Sequence, residues 1–176
     1  FRKVLDRAHE LGLKVLLDLV INHTSDEHKW FIESCKGKDN PYSDYYIWRD
    51  PRFKGEEKLP PNNWYSQFEG LAWEYNEQRG QYYLHTFAVS QADLNWDNPA
   101  VVKAMQDIID FWVCKGCDGF RIDVIDGIAK DFTAGKNKLG PRLHENIRAL
   151  FGRAKAGHLF TVGEGNTDDI EDIVLH

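Results

Sequence analysis

Charged side chains interrupt three of the most apolar stretches of this chain, each towards the same end of its run. Lys14–Ile21 is nearly continuous in apolar residues, carries Asp18 and leads straight into Asn22 and His23. Gly119–Ile125 carries Arg121 and Asp123, and Leu159–Glu164 closes on Glu164. A charge inside an apolar run is costly unless something pairs with it. Two carboxyl groups on neighbouring parallel strands suit acetal hydrolysis. A retaining glycosidase holds a nucleophilic carboxylate and an acid carboxyl about 5–5.5 Å apart, and adjacent strands lie about 4.8 Å apart. Arg121 stands two residues before Asp123, so it points to the same side and would hold Asp123 ionised. Glu164 would need a drier setting to keep its proton. Taken singly, an Asp or Glu at a strand end is more often a turn former or a helix cap. Spacing alone also leaves open a metal-dependent lyase or hydrolase on the same scaffold.

The elements that must carry these residues follow from periodicity. Phe1, Val4, Leu5, Ala8 and Leu11 share one helical face, with Gly12 as a stop. The three apolar runs lack alternation, which predicts strands buried on both faces, as in parallel sheets. Asn98-Pro99 opens a helix whose stripe is Val101, Val102, Met105, Ile108, Ile109, Trp112 and Val113. Further helices are predicted over roughly 141–154 and after Thr167-Asp168-Asp169, whose acids suit a helix start. Residues 25–90 are different: irregular, with Pro41, Pro51, Pro60 and Pro61 and with Trp30, Trp48, Trp64 and Trp73, and with one candidate strand over Tyr82–Phe87. The order helix, strand, insertion, helix, strand, helix, strand, helix predicts an α/β protein with parallel strands, either an open doubly wound sheet or part of a (β/α)8 barrel. In both, chemistry sits at the C-terminal ends of the strands.

Composition excludes several classes. The chain has 176 residues, 42% hydrophobic, with a net charge of −6. That balance argues against a nucleic-acid binder working by phosphate neutralisation. No window approaches the roughly 18 apolar residues of a membrane span. Neither a Gly-rich phosphate loop nor a dinucleotide fingerprint is present. Aromatic residues are 13% of the chain, a composition that fits either a packed core or a sugar-binding surface. The three cysteines, Cys35, Cys114 and Cys117, are too few for a disulfide scaffold. Cys114 and Cys117 match C-x-x-C but close a helix rather than open one, and no second ligand pair accompanies them. They are expected as ordinary thiols of a reducing compartment, the cytoplasm.

The motifs resemble those of the α-amylase family, glycoside hydrolase family 13. Asp18-Leu19-Val20-Ile21-Asn22-His23 is similar to its first signature region, and Gln91-Ala92-Asp93-Leu94-Asn95 to its short Gln-Pro-Asp-Leu-Asn region. Gly119-Phe120-Arg121-Ile122-Asp123 resembles the second region and Thr161-Val162-Gly163-Glu164 the third. The stretches Asn22–His28 and Asp44–Trp48 are closest to the α-glucosidase and oligo-1,6-glucosidase branch. The resemblance implies about strands 3 to 5 of a TIM barrel: residues 1–23 as a helix and strand 3, 24–90 as the inserted domain B, and 91–176 as the helices with strands 4 and 5. It implies Asp123 as nucleophile and Glu164 as general acid and then base. Arg121 would orient Asp123, and Asp18 and His23 would build the sugar pocket, with His23 reaching a hydroxyl. Phe87 would be an aromatic wall, with Gln91 on the same rim. Val124, beside the nucleophile, matches members preferring α-1,6 links. Lys130 matches a Lys that replaces calcium in this branch, so no metal or cofactor is expected. The implied substrate is a short gluco-oligosaccharide, with trehalose-6-phosphate hydrolase, α-1,4-glucosidase, sucrose isomerase or a non-catalytic sugar-binding relic as alternatives. The sequence departs from the family at Ala92, where Pro is usual, and at Gly165-Asn166. The fourth signature, a later Asn-His-Asp, is not found, so the remainder of the barrel is expected as a partner to this piece.

Overall fold

The computed structural model describes residues 1–152 and 159–165. In chain order the elements are helix α1 (Arg2–Glu10), strands β1 (Leu16–Val20) and β2 (His23–Ser25), helix α2 (Lys29–Cys35), strands β3 (Trp48–Arg49), β4 (Arg52–Lys54), β5 (Glu57–Leu59), β6 (Trp73–Asn76), β7 (Gln81–Leu84) and β8 (Gln91–Asp93), helix α3 (Pro99–Cys114), strand β9 (Gly119–Asp123), a 3₁₀ turn (Ile125–Ile128), helix α4 (Leu143–Phe151) and strand β10 (Phe160–Gly163). The helix expected after Thr167 lies outside the described residues. Two compact units divide the chain: Phe1–Ile21 with Val102–His176, and Asn22–Val101.

The first unit is built on a parallel sheet in the order β1-β9-β10. The register pairs Asp18 with Arg121 and Val20 with Asp123 on one side, and Gly163 with Ile122 on the other. α1 stops where Gly12, at φ 73°, turns the chain and lets the Leu13 N–H return to the Ala8 carbonyl at 2.9 Å. Pro99 opens α3 as its first residue, and the Asn98 side chain accepts from the Ala100 N–H at 2.9 Å. Only β9 is covered as the apolar runs predicted, with Phe120 and Ile122 fully buried. β1 and β10 depart from that expectation: Leu16, Val20, Phe160 and Val162 are exposed. The physical reason is topological. Among the described residues each outer strand has a single hydrogen-bonded neighbour, β9.

The second unit is irregular, and a set of buried aromatic residues makes its own core. Ile47, Ala72, Trp73 and Leu84 form a buried cluster with Trp64 and Tyr82 against it. The Phe31 ring packs on Tyr46, Trp48 and Tyr83, all with centroids within 5.7 Å. Arg79 ties the loops around that cluster. Its guanidinium donates to the Ser34 and Gly37 carbonyls and the Ser43 hydroxyl, and it lies over the Trp48 ring at 4.5 Å. The unit extends beyond the 24–90 excursion expected from sequence, because β2 and β8 pair with each other as an antiparallel ladder (His23 opposite Asp93, Ser25 opposite Gln91). The predicted strand over Tyr82–Phe87 ends at Leu84, since the Thr86 N–H turns to the Asp93 side chain instead.

At the N-terminal side of the sheet, Asp118 clasps three residues of the α1–β1 region. Its carboxylate accepts from the Val15 N–H at 2.8 Å, from Lys14 at 2.9 Å and from His9 at 2.7 Å. The Val15 N–H, with the help of His9 and Lys14, holds its carboxyl well below the usual carboxylate range. A depressed pKa contributes stability that is present above the unfolded-state value, near about 3.9, and is lost as pH falls towards the folded-state value. Asp118→Ala is expected to lower unfolding free energy at pH 7 by about 1–3 kcal/mol, because the Val15 N–H loses a charged acceptor. Urea unfolding from pH 7 downwards checks this, and the gap to the wild type should narrow below about pH 4.

Candidate active site

β1, β9 and the end of β10 bring three of the expected acids onto the guanidinium of a fourth expected residue, Arg121. Asp18 and Arg121 are opposite each other in the register, and Arg121 and Asp123 are two apart on one strand, so all three share a face of the sheet. Arg121 Nη1 donates to Asp18 Oδ1 at 2.7 Å and to Asp123 Oδ1 at 2.6 Å. Its Nη2 reaches Glu164 Oε2 at 2.6 Å. The Asp18 and Asp123 carboxylates raise the Arg121 pKa further above its ordinary value, so the guanidinium is a permanent cation. Asp123 is the most enclosed of the three acids, with 21% of its side chain exposed, against 58% for Asp18 and 55% for Glu164. The dry setting expected around Glu164 is therefore not formed among the described residues: its carboxyl group is half open and paired with Arg121.

Val124 stands immediately after Asp123 in the left-handed region, at φ 47° and ψ 49°. A β-branched residue there is strained. The next residue enters a 3₁₀ turn, so the apolar run predicted as strand to Ile125 ends at Asp123. Lys130 follows this turn and donates to the Gly127 carbonyl at 2.6 Å.

The second unit gathers the other expected residues. His23 is buried on β2, and its Nε2 lies 3.0 Å from Gln91 Nε2. Gln91 Oε1 accepts from the Ala88 N–H at 3.0 Å, which turns the amide nitrogen towards the ring. Asn22 Nδ2 lies 3.3 Å from the ring's other nitrogen, Nδ1, so both nitrogens of the imidazole face an amide. Phe87 packs on His23 with ring centroids 5.5 Å apart. Beneath them, fully buried Asp93 accepts from the Asn22 amide and from the Thr86 N–H and hydroxyl.

One residue of this cluster escaped the sequence reasoning. Phe68 is 69% exposed and sets its ring edge against Phe87 at 5.7 Å. The Gln67 N–H donating to the Thr86 carbonyl at 2.8 Å brings the two loops together. No motif or spacing signals that contact, because it joins two irregular segments across the unit.

These strand-end motifs and their geometry have counterparts among known proteins. The model of the α-amylase catalytic domain matches residues 1–175. The chain belongs to the α-amylase family. An oligo-1,6-glucosidase of Heyndrickxia coagulans is 48% identical, over 96% of this chain and 33% of that protein. The solved trehalose-6-phosphate hydrolase of Bacillus licheniformis is 45% identical with a TM-score of 0.86, over 98% of this chain and 32% of that one. An isomaltulose synthase of Erwinia rhapontici NX5, solved with sucrose, is 38% identical with a TM-score of 0.84, over 93% and 31%. The chain therefore spans about a third of the length of the relatives it matches. In α-amylase terms the first unit is a partial (β/α)8 barrel, which accounts for the exposed outer strands.

Val124 offers a direct check on the strained turn. A buried or half-buried Val→Gly change ordinarily costs several kcal/mol in packing and chain entropy. At residue 124 the relief of left-handed strain, about 1–2 kcal/mol, offsets part of that. Val124→Gly is expected to cost about 1–2 kcal/mol less than Val→Gly at a comparably buried position of ordinary backbone, such as Val102, and chemical denaturation of both variants measures it.

Proposed function

We propose that this chain is the catalytic segment of a retaining α-glucosidase acting on short gluco-oligosaccharides, with α-1,6 links preferred. The observation that carries the reading is the single Arg121 guanidinium holding both Asp123 and Glu164 at the ends of adjacent parallel strands. Asp123 attacks the anomeric carbon while Glu164 gives a proton to the departing oxygen, so the glycosidic C–O bond breaks and a glycosyl-enzyme ester forms. Glu164 then takes a proton from water, whose oxygen attacks the same carbon and releases Asp123. Asp18 shares Arg121 with Asp123 and lines the same rim, while His23, Gln91 and Phe87 form the sugar-facing wall of the inserted unit. The third carboxylate that the family uses would come from a longer protein that contains this chain. The substrate is an oligosaccharide rather than a nucleic acid or a membrane. A cytoplasmic setting fits the cysteine usage, three residues and so too few for a disulfide scaffold.

Assay of the longer protein on isomaltose, maltose, trehalose-6-phosphate and sucrose tests the reading. Isomaltose should give the highest kcat/KM, and Asp123→Asn and Glu164→Gln should each lower kcat on it by about 10²–10⁴-fold or more. Trehalose-6-phosphate is the second reading, favoured by the likeness to the Bacillus licheniformis hydrolase. Preference for that substrate would move the assignment within the family, and inactivity on all four would end it.

We also propose that the barrel segment needs no calcium where Lys130 stands. The residues there do not suit a cation: the Lys130 ammonium already occupies the Gly127 carbonyl, and no three His, Cys, Asp or Glu side chains gather among the described residues. Activity is expected to be unchanged by EDTA, and Lys130→Ala should lower thermal stability by about 1–3 kcal/mol through loss of a charged hydrogen bond.

A further inference from the structure

Glu164 is gripped from β9 on both sides of its own backbone. Its N–H donates to the Ile122 carbonyl at 2.8 Å, and its carbonyl accepts from the Ile125 N–H at 3.0 Å. With Gly163 opposite Ile122, an uninterrupted parallel ladder would bring the N–H of residue 124 to that carbonyl. Val124 instead steps out of line in its left-handed conformation, and Ile125 takes its place. One extra residue in one strand is a bulge, a device that re-aims side chains at strand ends.

The Ile125 side chain completes the grip. It is 9% exposed and lies directly on Gly163. A Cβ added at Gly163 would stand 2.9 Å from Ile125 Cγ2, 3.1 Å from Cδ1 and 3.4 Å from Cβ. Those contacts reach the stiff, branched root of the side chain, which cannot swing aside as a flexible tip would. Any larger residue at 163 must therefore push Ile125 away or push β10 away from the turn. Either movement acts on the backbone atoms that hold Glu164.

We infer that Ile125 and Gly163 are a positioning pair, which sets where the Glu164 carboxyl group stands relative to Asp123 without touching substrate. The inference rests on the reading of Glu164 as the general acid. Its consequence is selective. A displaced acid harms departure of a sugar alkoxide, which needs a proton, and spares departure of p-nitrophenolate, which does not. A merely structural defect would lower turnover of both.

The test is kcat/KM of the longer protein on two substrates: the best natural glucoside of the panel above, and p-nitrophenyl α-glucoside. This constant reports only the steps through glycosyl-enzyme formation. Gly163→Ala is expected to lower it at least about 100-fold on the natural glucoside and less than about 5-fold on the nitrophenyl glucoside. Ile125→Ala added to Gly163→Ala makes room for the new methyl group and should recover the natural substrate to within about tenfold of wild type. Ile125→Ala alone introduces no clash but removes the packing, and should show the same selective direction, which covers a Gly163→Ala protein that does not fold. Equal losses on both substrates, or no recovery in the double variant, overturn the inference while the glucosidase reading stands. A wild-type protein that hydrolyses neither substrate overturns that reading, and the inference with it.

Discussion

Parallel pairing of β9 between β1 and β10 is the constraint from which the carboxylate cluster follows. In a parallel ladder, residues opposite each other point their side chains to the same face. Asp18 opposite Arg121 therefore shares a face with Asp123, and the end of β10 delivers Glu164 beside them. A slip of one residue in β9 would turn Arg121 and Asp123 to the other face and bring Phe120 and Ile122 out of the core. The burial of those two apolar residues is thus what holds the charged pair at the rim.

Arg121 makes the cluster chemically tenable. Three carboxylates at one sheet edge would repel each other, and a guanidinium with two donating ends reaches all of them. The geometry ranks the acids: Asp123 is enclosed, while Asp18 and Glu164 remain open to solvent. That order suits Asp123 for a role that needs one fixed orientation. The strained turn at Val124 belongs to the same arrangement, because it is where the ladder ends and the chain leaves the site.

The inserted unit solves a different problem. It has short strands and few helical residues, so it is held by aromatic packing and by buried polar hubs. Arg79 organises one side of it, and Asp93 with Asn22 and Thr86 the other. The second hub adjoins His23 and the loop that carries Phe87 and Gln91, so the polar network that stabilises the unit also holds these three side chains. Aromatic richness thus has two sources: rings such as Phe31, Tyr46, Trp48 and Tyr83 are core, while Phe68 is exposed and Phe87 half-buried beside it.

The sequence by itself determined the parallel α/β character, the three strands and the charged residues at their ends. Those features are local: an apolar run, a proline that opens a helix, a pair of charges two residues apart. Tertiary structure decided what local signals do not encode. It brought the Gln91 amide onto the His23 ring, gave Arg121 to Glu164 as well as to Asp123, and set Phe68 on Phe87. It also exposed β1 and β10, whose apolar runs read as fully buried strands, because burial depends on neighbours that a run of residues does not specify. The grip of Ile125 on Gly163 belongs to the same class. A glycine beside a glutamate says nothing in sequence about which side chain, from which strand, needs its missing methyl group.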